Sequence, residues 1–351
     1  MAEARVSPAP SPSRPAGRES VWPRPLRSFG PVVSLVTHQA GLGMLRALGC
    51  PRAPPRWAQP PPLRRWRAGL ARERKGLASH AVTPVPLSYA VLDGPSPQPP
   101  LVFLHGLFGS KSNFQSLAKK LVAQTGRKVL TVDARNHGNS PYSSLMTYEA
   151  MSADVRLLLC QLHLQRCVLV GHSMGGKTAM VLALQELELV DRLVCVDMSP
   201  SETTAVTSFQ SFLTAMKAVD IPRGIPCSTT RRLAEEQLRP AIQEPAIRQF
   251  LLTNLVYTED QFMWRVNLEA VSQHLKELMG FPDFQTSYTG PALFLGGSRS
   301  GYISSDDYPE IERLFPEAEI QYVPDAGHWV HADQPQEFIA AVCKFVAPPP
   351  A

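Results

Sequence analysis

The residues Gly171-His172-Ser173-Met174-Gly175 have the types and the spacing for nucleophilic catalysis. A serine hydroxyl becomes a useful nucleophile when it is held on a tight turn within reach of a base, and G-x-S-x-G sets the serine on such a turn between a strand and a helix. The two glycines have a steric task, because a strained serine backbone needs neighbours without a Cβ. An apolar run of strand type, Cys167-Val168-Leu169-Val170, leads into the turn, and a helix-compatible stretch, 177–186, leads out. The competing reading is an ordinary strand-to-helix turn carrying an incidental serine. The strand-before, helix-after context favours the nucleophile.

The flanking segments must hold that turn in place. Residues 85–92 alternate in the manner of a strand, and Asp93-Gly94 turns the chain back. Further apolar runs of strand length lie at 101–104, 128–132, 192–196, 292–295 and 320–323. Between them, 113–125, 148–164 and 335–346 carry apolar residues at helical spacing. Strands alternating with helices predict a mostly parallel sheet covered on both faces, an α/β fold. The rhythm stops at residue 201. From there to 289 the pattern is mostly helical, with amphipathic stretches at 232–239, 246–256 and 262–279, which predicts an inserted helical cap. The predicted organisation is a leader over 1–83, a core over 84–200 and 290–347, and a cap over 201–289.

Charge separates the leader from the rest. The 351 residues carry a formal net charge of +5, yet residues 1–80 hold 14 Lys and Arg against 3 Asp and Glu, leaving 21 basic and 27 acidic residues beyond them. The remainder is mildly acidic, which argues against a nucleic-acid surface. The leader is rich in Arg, Ala and Pro and nearly free of acids, so it has the composition of a mitochondrial presequence rather than of a folded domain. Initiation at Met44 would give a more ordinary one, beginning Met44-Leu45-Arg46-Ala47-Leu48. The most apolar stretch, 30–49, is interrupted by His38, Gln39 and Arg46, so no transmembrane segment is expected. The six cysteines, Cys50, Cys160, Cys167, Cys195, Cys227 and Cys343, show no metal or redox spacing and read as buried free thiols in a reducing compartment.

Four strings carry a resemblance: His105-Gly-Leu-Phe-Gly-Ser-Lys111, Asp133-Ala-Arg-Asn-His-Gly138, Gly171-His-Ser-Met-Gly-Gly-Lys177 and Ala326-Gly-His-Trp-Val-His-Ala332. With the elbow and the helical insert, they resemble the α/β-hydrolase superfamily over about residues 84–347, and most of all its mitochondrial members and small bacterial esterases. The resemblance implies a serine hydrolase that cleaves carboxylic esters of lipid or acylglycerol type through an acyl-enzyme, without a cofactor. It further implies a mitochondrial, matrix-type location and an association with 2-oxoglutarate dehydrogenase and the maintenance of its lipoylation. A thioesterase and a non-catalytic, hydrolase-like interaction protein are the alternatives. Dehalogenases and epoxide hydrolases of this fold use an aspartate nucleophile, which Ser173 argues against.

Within that fold His328, on the loop after strand 320–323, is the expected base, and the chain order Ser, acid, His is met. The acid is harder to place. Many relatives carry it after the strand that follows the cap, but here that loop reads Gly296-Gly297-Ser298-Arg299-Ser300-Gly301. Asp197, at the end of the strand after the elbow helix, is the favoured acid. Glu269, on the cap, is the alternative, and Asp133 is a third position. The oxyanion hole is expected from the backbone N–H groups of Leu107 and Met174. His328 and His331 with Asp333 are the nearest approach to a metal-ligand cluster, but no H-E-x-x-H motif is present, so no metal site is expected. Phe209, Phe212, Leu213, Met216, Phe262, Met263 and Trp264 are the cap residues from which packing and an acyl pocket would be drawn. Lys177 is expected to face solvent or an acidic partner.

Overall fold

In the computed structural model of the protein the described residues are 82–347, apart from 205, 223, 259 and 260. The leader, and Cys50 within it, lies outside them except for residues 82 and 83. Seven strands form one sheet in the order β1-β3-β2-β4-β5-β8-β9. They are β1 (Tyr89–Leu92), β2 (Leu101–Leu104), β3 (Val129–Val132), β4 (Cys167–His172), β5 (Val190–Val196), β8 (Ala292–Gly297) and β9 (Ala318–Val323). Only β1 runs antiparallel to its neighbour; β2, β3, β4, β5, β8 and β9 pair in parallel. This agrees with the α/β reading.

The interior strands β2, β3, β4 and β8 are buried throughout, and β5 at all but Asp191 and Arg192, so they read as largely continuous apolar runs, while the edge strands β1 and β9 are partly exposed. Alternate residues still face opposite ways. Leu101 and Phe103 of β2 pack with α1 (Gln115–Thr125) and α11 (Pro335–Val346) on one face. Val102 and Leu104 pack on the other face with α2 (Tyr148–Gln161), α3 (Met174–Gln185) and α9 (Tyr308–Leu314). The chain leaves β2 towards β3 on one side and returns to β4 on the other. The crevice at the carboxyl ends of β2 and β4 is therefore the topological switch point, where this architecture places its ligands.

A third apolar cluster joins the cap to the core. Leu213 and Met216 of α4 (Val206–Ala218) and Leu251 of α6 (Pro245–Leu252) meet Leu107, Met174 and Tyr148 there. The cap also holds α5 (Cys227–Leu238), α7 (Leu268–Gln273) and α8 (Leu275–Met279). It departs from the expected helices at one place. Residues 246–256 and 262–279 do not form two long helices; between α6 and α7 the chain makes the antiparallel strands β6 (Leu255–Thr258) and β7 (Gln261–Trp264). Val256, Tyr257, Phe262 and Trp264 are β-branched or aromatic, and such residues favour a pleated ladder wherever no helix partner covers them. Among the described residues no helix is long and apolar enough to cross a membrane.

Candidate active site

Ser173 lies between β4 and α3 with φ 54° and ψ −120°, a backbone conformation that L-residues rarely adopt. The turn survives because its glycines allow backbone to touch backbone. A Cβ on Gly171 would lie 2.2 Å from the Gly175 carbonyl oxygen, and one on Gly175 would lie 2.3 Å from that of Leu104. The Ser173 N–H is held by Val196 O at 3.1 Å, which binds the elbow to the end of β5. The hydroxyl-bearing residue thus projects from the sheet's carboxyl edge into the crevice.

Asp197 follows directly on β5, also at positive φ (50°) and fully buried. One carboxylate oxygen, Oδ1, accepts the Gly297 N–H at 2.9 Å. The other, Oδ2, accepts the Ser300 hydroxyl at 2.5 Å and His328 Nδ1 at 2.7 Å. With Nδ1 donating to the carboxylate, His328 keeps Nε2 as its acceptor. Tyr302 stacks on the His328 ring at 3.8 Å with 21° between the planes, and Trp329 meets its edge at 5.5 Å. The loop after β8 therefore has no carboxylate of its own but supplies Ser300 and Tyr302 around the pair. Their contribution is not legible in the residues before folding, since neither belongs to a motif.

Glu269 sits on the exposed surface of the cap, where it accepts Lys217 Nζ at 2.9 Å and the Gln273 amide at 2.8 Å. The bond from Lys217 draws its carboxyl below the usual range. It is not beside His328. Asp133, at the end of β3, is occupied by the Lys111 ammonium and by the backbone N–H groups of Lys111 and Asn139. Asp306 and Asp307 lie in a short 3-10 turn ahead of α9.

The loop after β2 comes close to the elbow: a Cβ on Gly106 would lie 3.1 Å from Ser173 Cβ. His105 orders this loop as a neutral ring. Its Nδ1 bonds to Gly106 O at 2.8 Å and its Nε2 accepts the Ala134 N–H at 3.0 Å. The Phe108 N–H is taken by His137 Nε2 and the Gly109 N–H by Gly106 O. Among the described residues the Leu107 N–H makes no such bond, and Met174 is the first residue of α3, whose N–H has no acceptor within its own helix. Those are the two groups the sequence assigns to an oxyanion hole.

His172 packs under the site, its Nε2 bonded to His328 O at 2.9 Å. His331 turns into an aromatic cluster with His172, Phe114 and Phe338, and its Nδ1 is unpartnered. Burial holds both rings neutral, drawing the pKa of His331 down to about 3 and that of His172 well below its usual value. Asp333 accepts the Gly327 N–H at 2.8 Å and so fixes the loop that carries His328.

Ser173 and His328 line one cavity of about 280 Å³ under the cap. Of the cap residues singled out, Phe209 and Phe212 line it; Leu213 and Met216 are core, Met263 is exposed, and Trp264 donates its indole N–H to Met216 O. Ile247, Phe250 and Leu251 complete the apolar wall from α6, a contribution that helical spacing alone could not separate from core packing. Lys177 corrects the expectation of an exposed side chain: it is fully buried, and burial brings its pKa down to about 7. Of the cysteines, Cys167 and Cys195 are buried free thiols, whereas Cys160 is exposed.

Residues 101–341 match the model of the alpha/beta hydrolase family. The chain belongs to that family. It is 59% identical to the sn-1-specific diacylglycerol lipase ABHD11 of Danio rerio, over 82% of this chain and 91% of that protein. It is 32% identical to esterase YbfF of Escherichia coli, over 70% of this chain and 92% of the bacterial one. Among solved structures it resembles a marine microorganism esterase, with a TM-score of 0.70 and 34% identity over 75% of this chain and 100% of the esterase.

Proposed function

We propose that this carboxylic ester hydrolase cleaves lipid acyl esters through an acyl-enzyme on Ser173, with His328 as general base and acid and Asp197 as the carboxylate that orients it. The observation that carries the proposal is the His328 Nδ1 to Asp197 Oδ2 bond of 2.7 Å, made at the rim of the apolar cavity that Ser173 also lines. His328 Nε2 takes the proton as Ser173 Oγ attacks the carbonyl carbon. The carbonyl oxygen gains charge and is met by the N–H groups of Leu107 and Met174. As the intermediate collapses, the proton passes from Nε2 to the leaving alcohol. Water then repeats the sequence on the acyl-enzyme and frees the acid. The Asp197 carboxylate compensates the imidazolium that forms twice per turnover.

Phe209, Phe212 and Phe250 make the cavity a place for an acyl chain rather than for a charged group. The likeness to a protein named sn-1-specific diacylglycerol lipase supports an acylglycerol as the substrate. The basic, acid-poor leader supports a mitochondrial location, and association with 2-oxoglutarate dehydrogenase belongs to the same proposal through the resemblance of the motif strings.

The test is covalent labelling with a fluorophosphonate probe. Wild-type protein gains one adduct, mapped to Ser173, and Ser173→Ala protein gains none. An undiminished adduct on the variant overturns the assignment.

A further inference from the structure

We propose that Lys177 is a positioning residue that sets acyl-chain selectivity by clasping both ends of the cap to the nucleophile helix, a role that rests on the ester-hydrolase reading above. Lys177 stands one turn beyond Ser173 on α3. Its Nζ donates to three acceptors: Thr203 Oγ1 at 3.0 Å, Met279 O at 2.8 Å and Gly280 O at 2.9 Å. Thr203 lies where the chain leaves the core for the cap. Met279 and Gly280 lie where it comes back from α8. The two segments are also joined to each other, by the Thr203 N–H to Met279 O bond of 2.7 Å.

None of the three acceptors is a carboxylate. A buried amine without a paired counter-ion is costly, and an apolar side chain would pack α3 at lower cost. What the amine provides is three directed bonds. Carbonyls at the end of a helix have no partner within it, and here two of them are satisfied from the nucleophile helix. The result is a fixed distance between Ser173 and both connections of the cap.

The geometry of the acyl wall follows from that distance. α4 begins three residues after Thr203 and brings Phe209 and Phe212 into the cavity. Phe209 also borders a small void shared with Ser173, Met174, Thr203 and Met279. Movement of Thr203 therefore moves Phe209 relative to the nucleophile. The reacting groups have supports of their own: the Ser173 N–H is tied to Val196 O at the end of β5, and His328 and Asp197 are held by β5, the loop after β8 and the loop after β9. Releasing the clasp should loosen the fit of a long chain and leave the chemistry on a short one.

Lys177→Met keeps length and removes the donors. Wild type and variant are compared on acetyl and decanoyl aryl esters, with hydrogen exchange at the Thr203 and Gly280 amides as a second readout. The loss of one or two net hydrogen bonds predicts a KM for the decanoyl ester raised about 5- to 10-fold, with kcat for the acetyl ester changed by less than about twofold. The two amides exchange faster in the variant, and they do so equally in a Ser173→Ala background, where no turnover occurs. If Lys177→Met does not fold, Thr203→Val removes one acceptor from the half-buried end of the clasp and should show the same split, with Thr203→Ser restoring wild-type behaviour. Equal losses on both esters, or unchanged exchange, overturn the proposal. Absence of turnover in the wild type, with exchange changed in the variant, would instead sink the hydrolase reading alone.

Discussion

Asp197 divides its two oxygens between tasks. Oδ1 is tied to the Gly297 N–H, so the carboxylate cannot turn, and Oδ2 is left to meet His328 and the Ser300 hydroxyl. In the proposed mechanism the charge matters as much as the position, because it would fix the imidazole tautomer and support the imidazolium. Replacing a buried carboxylate of this kind by its amide costs about 10⁴-fold in kcat. Asp197→Asn should show a loss of that size against an aryl ester, with circular dichroism unchanged. Glu269→Gln should stay within about fivefold of wild type, since an exposed, solvent-screened ion pair such as Glu269–Lys217 contributes little. The reverse result would move the acid to the cap.

The elbow shows how an element's close approach dictates residue type. α3 starts directly against the ends of β2 and β4, and Gly175 touches the Leu104 carbonyl. Both partners are backbone, so neither can rotate away from an added methyl. Gly175→Ala should destabilise the fold by about 2 kcal/mol or more through overpacking at a site that cannot relax. The melting temperature should fall by about 5 °C or more for a domain of this size, read by thermal denaturation at constant pH. A variant that melts with wild type would mean that the strand and helix are less tightly joined than this geometry requires.

The whole molecule stores several histidines in neutral form. His105, His137, His172 and His331 are buried, and burial lowers the pKa of each, to about 3 for His137 and His331. In the unfolded chain a histidine titrates near 6.5. Below that pH the unfolded state takes up protons that the native state refuses, so stability is full above about pH 6.5 and falls as the pH drops towards 3. Each such histidine adds up to about 1.4 kcal/mol per pH unit to that slope. Stability measured by urea denaturation between pH 7.5 and 5 should therefore decrease acid-ward. His331→Phe, placed among Phe114, Phe338 and His172, should make the decrease shallower by one histidine's share. An unchanged slope would show that His331 is protonated in the native protein.

The local pattern was enough for the strands of the large sheet and for the reactive residue types. Apolar runs and turn glycines placed the strands of the sheet, since burial on both faces leaves a continuous signal in β2, β3 and β4. The elbow was legible because its steric demand is met within five residues, and His328 because it follows a strand on a glycine loop. The partners of those residues were decided in three dimensions. Asp197 and Glu269 are both carboxylates at plausible places in the chain, and only the packing of β5 beside β8 puts one against His328 and leaves the other in solvent. Lys177 read as a surface cation because charge argues for exposure, until the cap's two connections closed over it. The β6–β7 hairpin was hidden for a related reason. Its aromatic residues suit a helix face or a pleated strand equally, and the choice rests on which neighbours the folded cap supplies.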